Sequence, residues 1–407
     1  MAADHSLSVA SSQLAAWDKL SSSQDLMIEI LKRLPVRCLL RFKSVNKVWY
    51  SLITCHLNRK PDPPSGMFLR SVKKKSDSGY VFVPFDVNSP VKFPDFTTLI
   101  RNIDPDADYI KLKHSCNGLM LCITENIRHS DYKAITDKHY VFNPTINQLT
   151  MVPGSGKFDL GMSLAFDPLK SPYYKIIYVS SFLRGDSSRD NDGYHYQIHM
   201  YSSQTHTCKL SYKHRIARRN SNVDFKSAVY WNNAIHWIDR FGFIVYFDLD
   251  QEMIYEIKTP AFACFDLKDI LKYRSYIFES RVELLLVEIY CPLITKFKIY
   301  ELKRDYSEWL VKYHVDLEEF DGTLFPESMK TSLKANHFFE FDVLSLVLGV
   351  ESFLVVETPT KILKLNLDSK TYHILRDYTS PRITPSQVPC LYQWPNVYQF
   401  AMSLYNF

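Results

Sequence analysis

YFDLDQEMIYEI, Tyr246 to Ile257, reads as a short strand, a polar turn and a second strand with alternating apolar positions. The pattern returns in VFNPTINQLTMV (Val141–Val152) and KLNLDSKTYHIL (Lys364–Leu375), which puts Asn143, Asp248 and Asn366 in register. HMYSSQTHTCKL (His199–Leu210) and IYELKRDYSEWLV (Ile299–Val311) are looser copies, centred on Ser202 and Glu301. The five centres recur at intervals of 46 to 65 residues. Apolar runs precede several of them and read as inner strands: Asn117–Ile123, Ala228–Ile238, Val282–Tyr290 and Phe353–Pro359. Hairpin repeats of this length suggest the blades of a propeller, because one such unit cannot bury its faces alone whereas stacked units can. Residues 67–407 then hold about six blades at this period. The competing architecture is a large β-sandwich with coincidental hairpins. Glycine totals only 11, no Gly-Gly pair occurs and no repeat ends in Trp-Asp, which argues against ordinary kelch and WD blades.

The texture differs before residue 67. Met1 to Lys19 is rich in Ser and Ala and is expected to fray. Pro61-Asp62-Pro63-Pro64-Ser65-Gly66 is a breaker that no helix crosses. Between them runs LSSSQDLMIEILKRLPVRCLLRFKSVNKVWYSLI, Leu20 to Ile53. At about 100° per residue, Leu26, Ile30, Leu34, Met27, Leu31 and Ile28 cover an arc of about 200°, twice what an ordinary surface helix needs. Pro35 stops this helix. A second begins at Val36, with Leu39, Leu40, Phe42 and Val45 as its apolar set, and Asn46 caps a third carrying Val48, Trp49, Leu52 and Ile53. Three helices of about ten residues are too short to stand alone, and a unit of about 40 residues sits near the lower limit for independent folding. Half of the arc can face the companion helices, and the surplus calls for a second protein. The proline-rich segment argues for some separation from the propeller.

Composition narrows the class. With 407 residues and 46% hydrophobic content the chain can build a large core. The net charge is +5, and Leu20 to Lys60 alone carries a net +6, so no polycationic surface for nucleic acid extends over the rest. Eight scattered cysteines form no C-x-x-C pair, which points to neither a zinc site nor a disulfide framework. No glycosylation sequon occurs, the first 19 residues lack the sections of a signal peptide, and the apolar run Val343–Val350 is too short to span a bilayer. The expectation is a reducing intracellular setting, cytoplasm and/or nucleus, with no membrane partner.

DLMIEILKRLPVRCLLRFKSVNKVWYSLI closely resembles an F-box, matching D-L-x-x-E-I-L-x-R-L-P-V-x-x-L-L-R-F-x-x-V-x-K-x-W-x-x-L-I almost throughout. A generic three-helix unit would not demand Pro35, Lys47 and Trp49 at those places. One departure stands out: the family usually has Leu-Pro before the acidic residue, and here Ser22-Ser23-Gln24 precedes Asp25. Leu20 would supply the missing apolar contact and Ser23 the helix cap. The remainder resembles the F-box-associated domain of plant F-box proteins in SCNGLMLC (Ser115–Cys122), VFNPTINQL, LAFDPLKSPYYKIIYV (Leu164–Val179) and IYELKRDYSEWLVKYHVDL (Ile299–Leu317).

The resulting expectation is an α+β multidomain chain. It has a tail (1–19), a small three-helix F-box (20–60), a linker (61–66) and an all-β, kelch-like propeller of about six blades (67–407). The resemblance implies a substrate receptor of a Skp–cullin–F-box ubiquitin ligase. Such a receptor binds a Skp-type adaptor, and through it cullin and a RING subunit, while the propeller takes an unknown target protein. It would be non-catalytic, with no cofactor and no metal. The implied adaptor contacts are Leu20, Leu26, Ile28, Ile30, Leu31, Leu34, Pro35, Val36, Leu39, Leu40, Phe42, Val45 and Trp49. Leu26, Ile30, Leu34, Pro35, Leu39 and Leu40 lead that set, and Trp49 serves more to orient and fill the core. The alternatives are an adaptor-binding F-box protein without a ligase role, and a propeller lectin or enzyme with an incidental helical N-terminus.

Other motifs carry less. Arg184-Gly185-Asp186 matches a cell-adhesion tripeptide by chance. KHRIARR (Lys213–Arg219) fits a nuclear-import or nucleic-acid patch, but a solvated basic loop is the commoner reading of such a run, and Lys73-Lys74-Lys75 is a weaker signal still. His195, His199, His206 and Cys208 invite a metal reading, but His195 and His199, on one strand face, lie about 13 Å apart, too far for one ion without help. The longer polar loops near Arg184–Gly193 and Lys213–Asn222 are the candidate borders of a substrate groove.

Overall fold

The hairpin repeat becomes a ring. The structure, a computed structural model, describes residues 24–56, 62–70, 79–86, 96–105, 107, 109–125, 138–154, 160–181, 195–215, 223–239, 242–260, 273–280, 283–290, 295–320, 341–358, 360–378 and 397–405. Helices α1 (Gln24–Lys32), α2 (Val36–Phe42) and α3 (Lys47–Ser51), with a π-helical turn over Leu52–His56, come first. Strands β1 (Gly66–Arg70) and β2 (Tyr80–Pro84) and helix α4 (Phe96–Ile103) follow.

Five four-stranded antiparallel sheets come next. The first contains β3 (Tyr109–Cys116), β4 (Leu119–Glu125), β5 (Lys138–Asn143) and β6 (Gln148–Val152). The second contains β7 (Gly161–Ala165), β8 (Lys175–Ser181), β9 (His195–Ser202) and β10 (Thr207–Arg215). The third contains β11 (Val223–Trp231), β12 (Ala234–Asp239), β13 (Phe243–Asp248) and β14 (Met253–Lys258). The fourth contains β15 (Tyr273–Ser280), β16 (Glu283–Tyr290), β17 (Lys296–Leu302) and β18 (Trp309–Asp316). The fifth contains β19 (Asp342–Val347), β20 (Phe353–Glu357), β21 (Lys361–Asn366) and β22 (Tyr372–Asp377). β23 (Val397–Phe400) returns to the start and pairs with β1, giving a sheet in the order β2-β1-β23. This sixth blade joins the two ends of the ring.

Each of the five sequence copies is the outer hairpin of a blade: β5–β6, β9–β10, β13–β14, β17–β18 and β21–β22. The register residues turn out to be turn builders. Asp248 Oδ1 accepts the backbone N–H groups of Asp250 and Gln251, and Asn366 Oδ1 accepts those of Asp368 and Ser369. Asn143 Oδ1 accepts from Thr145 and Ser202 Oγ from Gln204, the side-chain turn these residue types favour. A left-handed residue closes each hairpin: Asn147, His206, Glu252, Tyr306 and Lys370, with φ between 53° and 62°. None is glycine, which is how a glycine-poor chain still makes five tight hairpins.

Apolar clusters lie between blades rather than within them. Ile177, Ile198 and Trp237 join the second and third blades, and Leu285, Ile299, Val343 and Leu365 join the fourth and fifth. His114 bridges three inner strands: Nε2–H donates to Ala228 O at 2.9 Å, and Nδ1 accepts Leu164 N–H at 3.1 Å. Accepting at Nδ1 needs a neutral ring, and burial holds the imidazole down to about 4. Between the fourth and fifth blades Arg274 pairs with buried Asp342, which also accepts the Tyr276 hydroxyl at 3.2 Å. Gln399 Nε2 donates to Ser345 Oγ at 2.7 Å and ties the sixth blade to the fifth.

The proline-rich segment does not hold the helices apart from the ring. Asp62 Oδ2 accepts the Val36 N–H that opens α2, at 2.9 Å, while its own N–H donates to Met402 O. Val36 and Leu40 pack with Phe68, Ile100, Phe400 and Met402, inside the seam between the sixth and first blades. The expectation of separation failed because the segment's polar groups find partners on the ring.

Candidate functional site

The helical unit divides its wide apolar arc as the wheel demands. Met27 and Leu31 face inward and form a small core with Leu39, Leu52 and Ile53. Ile28, Leu34, Phe42 and Trp49 pack against its margin, and Phe42 meets Trp49 edge to face at 4.8 Å. Leu26 and Ile30, one turn apart and about 100° away from the buried pair, stay 48% and 42% exposed. Asn46 Oδ1 accepts Trp49 N–H at 2.9 Å, as its place before α3 suggests.

Of the thirteen expected contact residues, Leu26, Ile30, Pro35 and Val45 are exposed, and Ile28, Leu34, Leu40, Phe42 and Trp49 are half-buried. Leu31 and Leu39 are interior to the helical unit, and Val36 is buried against the blade seam. These three therefore build the surface from beneath and do not face outward. Leu20, with the Ser23 cap, lies outside the described residues. Val48, which the sequence marks only as part of the third helix's apolar set, and Tyr50, which it does not mark, are also exposed. Their signal was present, since they flank Trp49 on so short a helix that only one side can turn inward. Arg33, Arg37, Arg41 and Lys47 are exposed on the same helical unit. Glu29 is engaged by Lys32 at 2.9 Å, whose hydrogen bond lowers its carboxyl.

The ring has two unlike ends. Tight turns occupy one, at Asn117–Gly118, 144–147, 203–206, 232–233, 249–252, 303–308, 348–352 and 367–371. The longer connections, including 126–137, 182–194, 216–222 and 321–340, join strands at the other. The helical unit sits at the tight-turn end, where Ser403 N–H donates to Thr145 Oγ1 and Asn143 Nδ2 donates to Tyr405 O. The segment Arg184–Gly193 lies outside the described residues, as does Lys213–Asn222 apart from Lys213–Arg215 in β10. Both nonetheless leave flanking strands at the far end. The basic run Lys213–Arg219 thus begins within a strand rather than a loop.

Among the described residues no group of three His, Cys, Asp or Glu side chains could hold a metal ion. His206 closes the β9–β10 turn within 3.3 Å of the Tyr201 hydroxyl, which leaves it occupied in packing. No helix among the described residues is long and apolar enough to cross a membrane.

Residues 23–60 match the F-box domain family, and residues 78–339 match the F-box associated beta propeller domain family. F-box protein At5g07610 of Arabidopsis thaliana is 29% identical over 94% of this chain and 91% of its own length. F-box protein At3g07870 of the same plant is 26% identical over 59% of this chain and 60% of its own. A GH93 α-L-arabinofuranosidase of Fusarium graminearum overlaps 80% of this chain and 88% of its own, at 13% identity and a TM-score of 0.37, too slight to bear on function.

Proposed function

This chain belongs to the F-box proteins that carry an F-box associated β-propeller domain, and from that premise we propose that it is the substrate-recognition subunit of a Skp–cullin–F-box ubiquitin ligase. The observation that supports the reading is the set of large apolar side chains that the helical unit leaves exposed, Leu26, Ile30, Val45, Val48 and Tyr50, in a unit that also exposes Arg33, Arg37, Arg41 and Lys47. A Skp-type adaptor covers exposed apolar side chains of this unit, and an acidic surface on it steers the encounter. The propeller takes a target protein at the end away from the adaptor, where the longer connections emerge. The chain's contribution is positional. It raises the effective concentration of target lysines beside the ubiquitin delivered through cullin and the RING subunit, and it contributes no reacting group. It acts in the cytoplasm and/or nucleus.

Two assays test this in sequence. The full chain co-purifies with a Skp-type adaptor, and with cullin and a RING subunit present it drives ubiquitin transfer to a bound protein. Adaptor binding without any transfer would favour a complex that lacks a ligase role. Loss of the first interaction would remove the proposal itself.

A further inference from the structure

The helical unit's hydrophobic core is completed by a residue more than 340 positions away. Leu404 packs against the cluster of Met27, Leu31, Leu39, Leu52 and Ile53, and it also packs against the cluster in the seam between the sixth and first blades. Its segment is fixed on both sides. Asp62 N–H donates to Met402 O, and Ser403 N–H donates to Thr145 Oγ1 at 3.0 Å. Asn143 Nδ2 donates to the carbonyls of Ser403 and Tyr405, and the Tyr405 ring lies 4.4 Å from that of Phe166. Gly118 has φ +87°, and a Cβ there would come within 2.4 Å of the Ser403 side chain, so the first blade's turn is shaped to admit this segment. β23, which closes the ring on β1, leads directly into it.

From these contacts we infer that the F-box of this chain is completed only by ring closure, with Leu404 and Asp62 as positioning residues that fix α1–α3 on the sixth blade. The same short stretch, Val397 to Tyr405, supplies the ring's last strand and the missing wall of the F-box core. Three helices this short gain little order from each other, so a chain whose ring is open presents a loosened F-box. Adaptor competence follows propeller completion, and an incompletely closed receptor is withheld from the complex. The second half of this statement rests on the adaptor reading above, whereas the folding linkage does not.

Hydrogen–deuterium exchange of the full-length protein decides the linkage. Leu404→Asp and, separately, Asp62→Ala should speed exchange of the α1–α3 amides about five- to thirty-fold, with β12 and β13 unchanged as internal reference. Asp62→Asn keeps an acceptor oxygen and should recover much of the protection. Should Leu404→Asp loosen the whole ring, Asp62→Ala carries the test. Wild-type exchange of α1–α3 in both variants, or equal loosening of β12 and β13 in Asp62→Ala, overturns the inference. Affinity for a purified Skp-type adaptor should fall by the ratio of the ordered fractions of wild type and variant, because only the ordered fraction binds. If the wild-type chain binds no adaptor, the functional reading fails, while the exchange result still decides the linkage.

Discussion

Replacing Leu26 and Ile30 together by Ala should separate adaptor binding from folding. Full burial of a side chain of this size is worth about 1.5–3 kcal/mol. The two residues keep 48% and 42% of their surface open, so covering both contributes about 2 kcal/mol in total. The double variant should therefore bind a Skp-type adaptor about 30-fold more weakly, measured by calorimetry on the full-length protein. Its melting temperature should barely move, because neither side chain belongs to the interior cluster. Leu39→Ala is the contrasting variant. With 0% exposure, Leu39 is a core residue whose truncation costs about 2–5 kcal/mol of local stability, so lost binding there would report unfolding and not a lost contact. An unchanged Kd in the Leu26/Ile30 variant, or a fall in melting temperature matching that of Leu39→Ala, would refute the division of the arc into an inner and an outer half.

Further outcomes follow from the ring. Asp342→Asn leaves Arg274 without its charged partner between two blades and should cost about 3 kcal/mol, read from denaturant unfolding; a loss below about 1 kcal/mol contradicts a structural role for the pair. Gly161→Ala should destabilise by about 1–3 kcal/mol, because a Cβ there would lie 2.1 Å from the Phe225 carbonyl oxygen. Phe225→Ala should not rescue it, since the clash is with backbone. Burial holds His114 at about 4 and His236 at about 3. The unfolded chain takes up these protons near pH 6.5, so the folded state binds fewer protons across that window. Stability is then complete above about pH 6.5 and falls on acidification by up to about 1.4 kcal/mol per pH unit for each histidine. His236→Phe keeps an aromatic ring beside the Tyr246–Tyr306 pair, which stack on each other at 4.6 Å, and should flatten the pH dependence of unfolding by one proton; an unaltered slope would show that His236 is not held neutral.

How much of this was legible beforehand depends on the range of the interaction. The outer hairpins announced themselves because Asn143, Asp248 and Asn366 act within two or three residues of their own position. The widths of the helix faces were equally local, and the exposed and buried halves of α1 fall where the wheel puts them. The sixth blade left no such mark. β23 is separated from β1 and β2 by most of the chain, and no turn residue signals its pairing with β1. Leu404 was invisible for the same reason: an isolated leucine near the end of the sequence carries no periodicity. Val36 and Leu39 were read as outward-facing because their helix was considered with one neighbouring core. The structure gives it two, the helical unit on one side and the blade seam on the other.

The place of β1 in its sheet decides how force passes between the helices and the ring. It is the middle strand, with β2 on one edge and β23 on the other. Antiparallel hydrogen bonds lie across the strand direction, so a pull along β1 loads both rows of bonds in shear at once and does not peel them one by one. The joint is thus a lap joint and not a hinge, and tension should pass between the ring and the helical unit with little give.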